Sequence, residues 1–120
     1  MANTYTKIYI QAVFAVKNRQ ALLKKEHRPE IFKYMAGIIN NRGHKALAVN
    51  GYDDHVHLLF NFKPKEELSL LVQEIKKASN AFIKEKRMTL FKFQWQSGYG
   101  AFSHGYRELN KVIIPFPPLN

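Results

Sequence analysis

The sequence predicts an α+β fold in which two helices cover one face of an antiparallel sheet. Apolar and polar residues alternate over residues 5–16, as expected of a strand with one buried face. Two later segments carry apolar residues at helical spacing instead. The predicted elements follow the order β-α-β-β-α-β, which is the ferredoxin-like (RRM-like) arrangement. Such a chain forms one sheet with an open face opposite its helices.

The first half of the chain supplies a strand, a loop and a helix. The strand over residues 5–16 turns its apolar side chains to one face, and residues 17–19 (KNR) end it in a basic loop. Pro29 suits the first turn of a helix, where its missing N–H costs nothing. Gly43 is a plausible end of that helix. The apolar residues at helical spacing are Ile31, Met35, Ile38 and Ile39.

The second half begins with two strands, residues 44–51 and 55–62, joined closely enough to form an antiparallel hairpin. Pro64 precedes a second helix. Residues 91–103 (FKFQWQSGYGAFS) are aromatic and interrupted by glycine, which favours a fourth strand plus a loop. The buried stripe predicted for the second helix is Leu68, Leu71, Val72, Ile75, Ser79, Phe82 and Ile83.

Composition limits the class of protein. The chain has 120 residues, no cysteine and a formal net charge of +10. The missing cysteine excludes disulfide scaffolds, cysteine zinc sites and thiol nucleophiles. A hydrophobic content of 46% argues against a disordered basic tail, so the charge indicates a folded domain with a polyanionic partner. The alternative is a basic protein that has no polyanionic partner.

No targeting or membrane segment is evident. Residues 1–7 lack a basic region followed by a long apolar stretch, and apolar runs such as residues 112–115 are far too short to span a bilayer. We therefore expect a cytoplasmic protein with no membrane partner. No repeat or linker divides the chain, and we expect a single domain over residues 1–113 followed by an irregular, proline-rich tail over residues 114–120.

One short motif contains two residues that can bind a metal ion. In residues 54–60 (DHVHLLF), a period of two places His55 and His57 on one face of a strand and turns the intervening apolar side chains toward the helices. Two neighbouring imidazoles on a rigid strand can share one divalent ion, which could act as a Lewis acid on a phosphodiester. The alternative is a pair of half-exposed histidines with no function.

Basic and aromatic side chains supply candidate nucleic-acid contacts. Lysines on the second helix could track phosphates, or they could form an ordinary solvated helix face. The aromatic residues near the fourth strand could stack on bases, although aromatics at strand spacing more often pack in a core or between subunits. The candidate DNA-binding residues are Lys17, Arg19, Lys76, Lys77, Lys84 and Trp95.

The chain resembles the single-tyrosine HUH transposases of small bacterial insertion sequences (IS200-like transposases). The resemblance rests on residues 9–17 (YIQAVFAVK), on the His-hydrophobic-His pair in residues 54–60 and on residues 94–103 (QWQSGYGAFS). It runs from about residue 5 to residue 103 and continues more weakly to residue 112. A His-x-His motif alone is weak, but the three landmarks in this order are specific.

This resemblance implies a bacterial protein that works as a homodimer and binds imperfect single-stranded DNA hairpins at the ends of an element. In the family, a tyrosine from a C-terminal helix attacks the scissile phosphate and leaves a 5′-phosphotyrosine link. By resemblance, His55 and His57 are the ligands of Mg²⁺ or Mn²⁺. A glutamine one helical turn after the tyrosine completes the metal site of the family.

The chain departs from the family at its C-terminal end. Counting from the shared landmarks, Pro115 stands where the family has its tyrosine, and Leu119 stands where it has the glutamine. Tyr106 lies nine positions too early, so we do not expect it to replace the nucleophile. We expect a remnant, truncated before the catalytic tyrosine, that keeps the fold and half of the metal site. The alternative is a non-catalytic module that binds single-stranded DNA or RNA.

Overall fold

A computed structural model of the chain describes residues 7–109 and shows a four-stranded sheet with two helices. The elements are β1 (Tyr9–Ala15), a 3₁₀ turn (Lys17–Arg19), α1 (Arg28–Asn41), β2 (Lys45–Gly51), β3 (His55–Asn61), α2 (Leu68–Glu85), β4 (Gly100–His104) and a second 3₁₀ turn (Tyr106–Glu108). This order confirms the predicted β-α-β-β-α-β arrangement. Residues 110–120, which include Pro115, Leu119 and the expected tail, lie outside the described residues, as do residues 1–6.

The sheet has the strand order β2-β3-β1-β4, and every neighbouring pair is antiparallel. The strands β3 and β1 therefore occupy the centre. Their register pairs Ala15 with His55 and Val13 with His57. On its other side, β1 pairs Val13 with Gly100 of β4. The His-x-His motif thus lies on a central strand, with hydrogen-bonded neighbours on both sides.

Both helices pack on the same face of the sheet. The apolar residues of β1 and β3 that point to this face belong to one core cluster with the buried residues of both helices. Within residues 7–109, neither helix is both long and apolar enough to cross a membrane. The buried helical residues are Ile31, Phe32, Met35, Ala36 and Ile39 in α1, and Leu71, Val72, Ile75, Ser79 and Ile83 in α2.

Local sequence signals mark both ends of α1, and a backbone hydrogen bond closes the turn after β2. Pro29 lies in the first turn of α1, as predicted. Just after that helix, Gly43 has a φ of 90°, a left-handed conformation that favours glycine. The β2–β3 hairpin closes with the N–H of Tyr52 donating to the carbonyl of His55 over 3.0 Å.

The fourth strand is shorter than residues 91–103 suggested. Only Gly100–His104 form β4, and most of the preceding segment is irregular. Gly98 has a φ of 84°, which interrupts an extended chain. Before this bend, the segment touches the sheet at one bridge, between Trp95 and Val16. The loop therefore precedes the strand.

Trp95 is a core residue, which corrects the prediction that it contacts DNA. Its side chain is 8% exposed and lies edge-on to Phe14 and Phe93, each with ring centroids 4.8 Å away. Its indole N–H donates to the hydroxyl of Ser79 on α2 over 3.0 Å. A base cannot stack on a ring that is enclosed in this way. Burial and a satisfied N–H make Trp95 part of the link between the irregular segment and α2.

Candidate functional site

The two histidines of β3 stand side by side on the face of the sheet that the helices leave uncovered. The ring centroids of His55 and His57 are 5.1 Å apart, and the rings meet edge to face. The intervening Val56 and the following Leu58 are completely buried on the opposite face. The structure therefore confirms the orientation that the period of two predicts for this strand.

A carboxylate fixes the orientation of His55. The Nδ1–H of His55 donates to Oδ1 of Asp54 over 2.7 Å, and Nε of Arg19 donates to Oδ2 of the same carboxylate over 2.9 Å. The hydrogen bond from Arg19, followed by that from His55, lowers the pKa of Asp54. An ionised carboxylate on Nδ1 favours the tautomer whose lone pair is on Nε2, which is the arrangement of many metal-ligating histidines.

A second chain of hydrogen bonds begins at His57 and crosses three strands. Nε2 of Gln11 on β1 donates to Nδ1 of His57 over 3.2 Å. Nε2 of His104 on β4 donates to Oε1 of Gln11 over 3.0 Å. A glutamine amide carries both an acceptor and a donor, so Gln11 can serve either tautomer of His57 by rotating its amide group.

Burial is the main cause that lowers the pKa of His57, and the neighbouring His55 lowers it further. The lowered pKa keeps the imidazole neutral at neutral pH, and only a neutral imidazole can bind a metal ion. The neutral form is the one that a metal ligand requires, and binding through Nε2 would also require Nδ1 to carry the proton and to donate it to the amide oxygen of Gln11.

Two neighbouring imidazoles supply part of a donor set for a divalent cation. The ring centroids are 5.1 Å apart, and neutral imidazole nitrogens are common ligands of divalent transition metals. Within residues 7–109, no group of three or more histidine, cysteine, aspartate or glutamate side chains could hold a metal ion. Among the described residues, His55 and His57 are therefore a pair of candidate ligands and not a complete site.

The other candidate DNA contacts are divided between the two sides of the sheet. Arg19 lies at the histidine site through its ion pair with Asp54, and Lys17 is exposed in the same loop. Lys77 and Lys84 are exposed on α2, which covers the opposite face of the sheet. Only the two loop residues are therefore placed to meet a nucleic acid that also meets the histidines.

Lys76 is half-exposed and bonds to the loop before β4. Its Nζ donates to the carbonyl of Gln96 over 2.8 Å and to that of Gly98 over 2.5 Å. The same Nζ lies 5.3 Å from the ring centroid of Phe14, and burial lowers its pKa. Lys76 holds the loop before β4 and is not a free phosphate contact, which differs from the interpretation of the α2 lysines as a phosphate-tracking face.

The far end of the sheet face is covered by apolar side chains. Leu109 belongs to a second buried cluster with Tyr9, Ala48 and Leu59, so this face is less open than the sequence suggests. Tyr106 lies in the same region, with its ring centroid 6.1 Å from that of Tyr9. Tyr9 is four positions along β1 from the residue paired with His57, or ~13 Å at strand rise. Tyr106 is therefore not adjacent to the histidine pair.

Sequence reasoning assigned no role to Asp54, Gln11 or His104. Asp54 is part of the motif itself, so its position next to His55 was a visible signal. Gln11 falls on the predicted outward face of β1, but its contact with His57 depends on the register of two strands 46 residues apart. His104 is 93 residues from Gln11, and no local pattern relates the two.

Comparisons with known proteins agree with this architecture. The family described as "Transposase IS200 like" matches residues 4–113. A candidate transposase from Deinococcus radiodurans R1 has a similar structure, with a TM-score of 0.71 and 20% identity over 93% of this chain and 91% of that chain. The REP-associated tyrosine transposase bound to a REP hairpin has a TM-score of 0.65 and 13% identity, over 94% of this chain and 68% of that chain. No curated protein matches the chain.

The structural likenesses, at these identities, support the fold alone, whereas the family match covers most of the chain. That match includes the His-x-His strand and the loop and strand that follow α2. From the family match we conclude that the chain belongs to the IS200-like transposase family.

Proposed function

We propose that this domain binds a single-stranded DNA hairpin and presents one of its phosphodiesters to Mg²⁺ or Mn²⁺ held by His55 and His57. The observation that carries the proposal is the pairing of the two rings, with centroids 5.1 Å apart, and the carboxylate of Asp54 on Nδ1 of His55. The family match and the REP hairpin bound by a structural neighbour support a nucleic-acid partner.

Each residue of the site has a separate role in this proposal. His55 and His57 would hold the cation, which would supply Lewis-acid polarisation of a phosphate oxygen. Asp54 orients His55, and Gln11 orients His57. Arg19 pairs with Asp54 and so keeps the carboxylate that orients His55 in its ionised form.

We further propose that this chain does not itself form a phosphotyrosine link. Pro115 stands where the family tyrosine is expected, and a proline has no hydroxyl to attack phosphorus. The described Tyr106 is not a substitute because it packs near Tyr9 at the far end of the sheet face. Nucleophilic attack requires contact distance, and a displacement of ~13 Å along the strand prevents it.

Binding to labelled DNA tests the first part. The probe is a pool of fluorescent hairpin oligonucleotides with randomised single-stranded flanks, compared with a blunt duplex of the same length by anisotropy. We expect Mn²⁺ to strengthen binding of the hairpin pool to the intact chain. His55→Ala and His57→Ala should remove this dependence on Mn²⁺, whereas His27→Ala, which lies at the start of α1, should retain it.

The outcomes separate the candidate functions. Hairpin binding that is the same with Mn²⁺ and with EDTA would favour a non-catalytic single-strand binder. Equal affinity for the hairpin pool and the blunt duplex would contradict the proposal. Stronger binding to an RNA pool of the same design would indicate an RNA-binding module instead.

A covalent assay tests the second part. The chain is incubated with Mn²⁺ and the labelled hairpin pool and then separated on a denaturing gel. We expect no label to migrate with the protein. A labelled protein band would show that a phosphotyrosine link forms and would overturn the proposal for Pro115, and Tyr106→Phe would then test whether that residue is the nucleophile.

We also propose that the domain works as a homodimer, as the resemblance implies. The exposed edges of the described sheet are β2 and β4, and an unpaired strand edge can join a second sheet. Sedimentation at micromolar concentration should show twice the mass of one chain. A single species at the monomer mass would contradict the dimer.

A further inference from the structure

A cleft of about 380 Å³ lies directly beside His55. One wall is the end of β1, and the other is the loop before β4. Four of its lining residues can recognise a ligand, namely Arg19, Gln96, Ser97 and Tyr99. Tyr99 is 38% exposed, so part of its ring is accessible. The cleft therefore joins an aromatic ring, a guanidinium and neutral polar groups beside the proposed metal ligand.

The wall that contains Arg19 is built from strained backbone. Asn18 and Arg19 have φ values of 58° and 56°, so two consecutive residues other than glycine adopt the left-handed conformation. The backbone N–H of Asn18 donates to Oε1 of Gln96 over 3.0 Å, and Arg19 bonds to Asp54. These bonds hold the strained turn against the opposite wall. Strain of this kind concentrates at functional sites.

The opposite wall is fixed from below by α2. Lys76 binds the carbonyls of Gln96 and Gly98, and Ser79 accepts the indole N–H of Trp95. The loop that carries Tyr99 is therefore attached to a rigid helix at two places. Both walls are positioned before any ligand arrives, which reduces the entropy lost on binding.

We propose that this cleft binds one unpaired nucleobase of the DNA strand, next to the phosphate that faces His55. This inference rests on the proposed function. The base stacks on the ring of Tyr99, and its polar edge meets Arg19, Gln96 and Ser97. Recognition of single-stranded bases by aromatic stacking with hydrogen bonds to the base edge is the chemistry that such a set provides.

A phosphate group matches the cleft less well than a base does. Of the four recognition residues that line the cleft, Arg19 alone is cationic, and its guanidinium already bonds to Asp54. The ring of Tyr99 and the neutral groups of Gln96 and Ser97 suit a base better than an anion. A base in the cleft also leaves its own phosphate on the side of His55.

Fluorescence of a base analogue tests the proposal in the full chain. Hairpins from the pool that bind are resynthesised with 2-aminopurine at one flank position at a time. We expect the chain to quench the analogue at one position next to the stem. Tyr99→Leu should remove that quenching and weaken binding of the flanked hairpin by about tenfold or more, the effect of one base–aromatic stack. Tyr99→Phe should preserve the quenching.

Tyr34→Leu is the matched control. Tyr34 is 37% exposed, nearly the same as Tyr99, but it lies on α1 on the opposite face of the sheet. This variant should quench and bind like the unmodified chain. A hairpin without flanks should bind equally to the unmodified chain and to Tyr99→Leu.

The outcomes distinguish the two proposals. If hairpins bind but no flank position is quenched, or if Tyr99→Leu binds and quenches like the unmodified chain, the base pocket is wrong and hairpin binding stands. If inorganic phosphate competes with the flank as well as a nucleoside monophosphate does, the cleft is an anion site. If no hairpin binds at all, the proposed function itself is wrong.

Discussion

The carboxylate of Asp54 joins Arg19 to His55, with 2.9 Å between Oδ2 and Nε of Arg19 and 2.7 Å between Oδ1 and Nδ1 of His55. The loop after β1 and the first residue of β3 are therefore tied to one group. This relationship links the strained loop, the orientation of His55 as the proposed metal ligand and the wall of the cleft. A change at Asp54 should affect all three.

Asp54→Ala should lower the affinity for Mn²⁺ by about 10- to 100-fold, because an unsupported imidazole is free to rotate and to change tautomer. Isothermal titration of the folded chain with Mn²⁺ measures the effect. Asp53→Ala is the control, since Asp53 is adjacent and contributes its backbone carbonyl to Leu23. Equal Mn²⁺ affinity for Asp54→Ala and the unmodified chain would contradict the role of Asp54.

The chain of hydrogen bonds through Gln11 predicts coupling between strands. Gln11→Leu should weaken Mn²⁺ binding because His57 loses its orienting amide, and His104→Leu should weaken it less. The double variant should bind no more weakly than Gln11→Leu alone, since His104 acts through Gln11. A double-mutant cycle measured by Mn²⁺ titration checks this, and additive effects would show that His104 acts by another route.

Glu66 should make stability sensitive to acid. It accepts hydrogen bonds from Arg42 and from the buried His44, and the bond from Arg42 is the main cause that lowers its pKa below the ordinary 4.5. The pKa of Glu66 is lower in the folded chain than in the unfolded chain. The stabilisation is therefore complete at a pH above the pKa of the unfolded chain, and it is lost as the pH falls through the pKa of the folded chain. Unfolding by urea from pH 7 down to pH 3 measures this loss.

Glu66→Ala should reduce the free energy of unfolding at pH 7 by about 1–3 kcal/mol, because it leaves the Nε2–H of the buried His44 without this acceptor. The substitution should also make the free energy of unfolding depend less on pH between pH 5 and pH 3. Glu67→Ala is the control, since Glu67 is exposed and its side chain does not cap α2. An unchanged acid slope in Glu66→Ala would show that another carboxylate is responsible.

Ser79→Ala should destabilise the attachment of the loop to α2. The indole N–H of Trp95 would lose its acceptor in a buried position, at a cost of about 1–3 kcal/mol. Trp95 is the single tryptophan of the chain, so urea unfolding followed by its fluorescence reports the change directly. Trp95→Phe removes the N–H, and in that background, followed by circular dichroism, Ser79→Ala should cost much less. An equal cost in both backgrounds would exclude this hydrogen bond as the cause.

Lys76→Met should separate loop positioning from phosphate binding. Methionine keeps most of the side-chain volume but cannot bind the carbonyls of Gln96 and Gly98. We expect weaker quenching of 2-aminopurine at the flank position that stacks on Tyr99, with little change in the salt dependence of hairpin binding. A salt slope reduced by about one unit would show that Lys76 contacts a phosphate after all.

Local patterns in the sequence determined most of this fold. Alternation defines the strands, helical spacing defines α1 and α2, and both are properties of residues close together in the chain. The same period placed His55 and His57 on one face and Val56 on the other, as observed. The family match likewise agrees with landmarks that can be read from the sequence.

Only the tertiary structure decided what surrounds the histidines. The sequence left open whether Trp95 and Lys76 contact DNA, and packing against α2 places Trp95 in the core and bonds Lys76 to the loop before β4. The contact of Gln11 with His104 depends on the register between β1 and β4. Register arises from the packing of the whole sheet, so residues 93 positions apart can be joined with no signal in the local sequence.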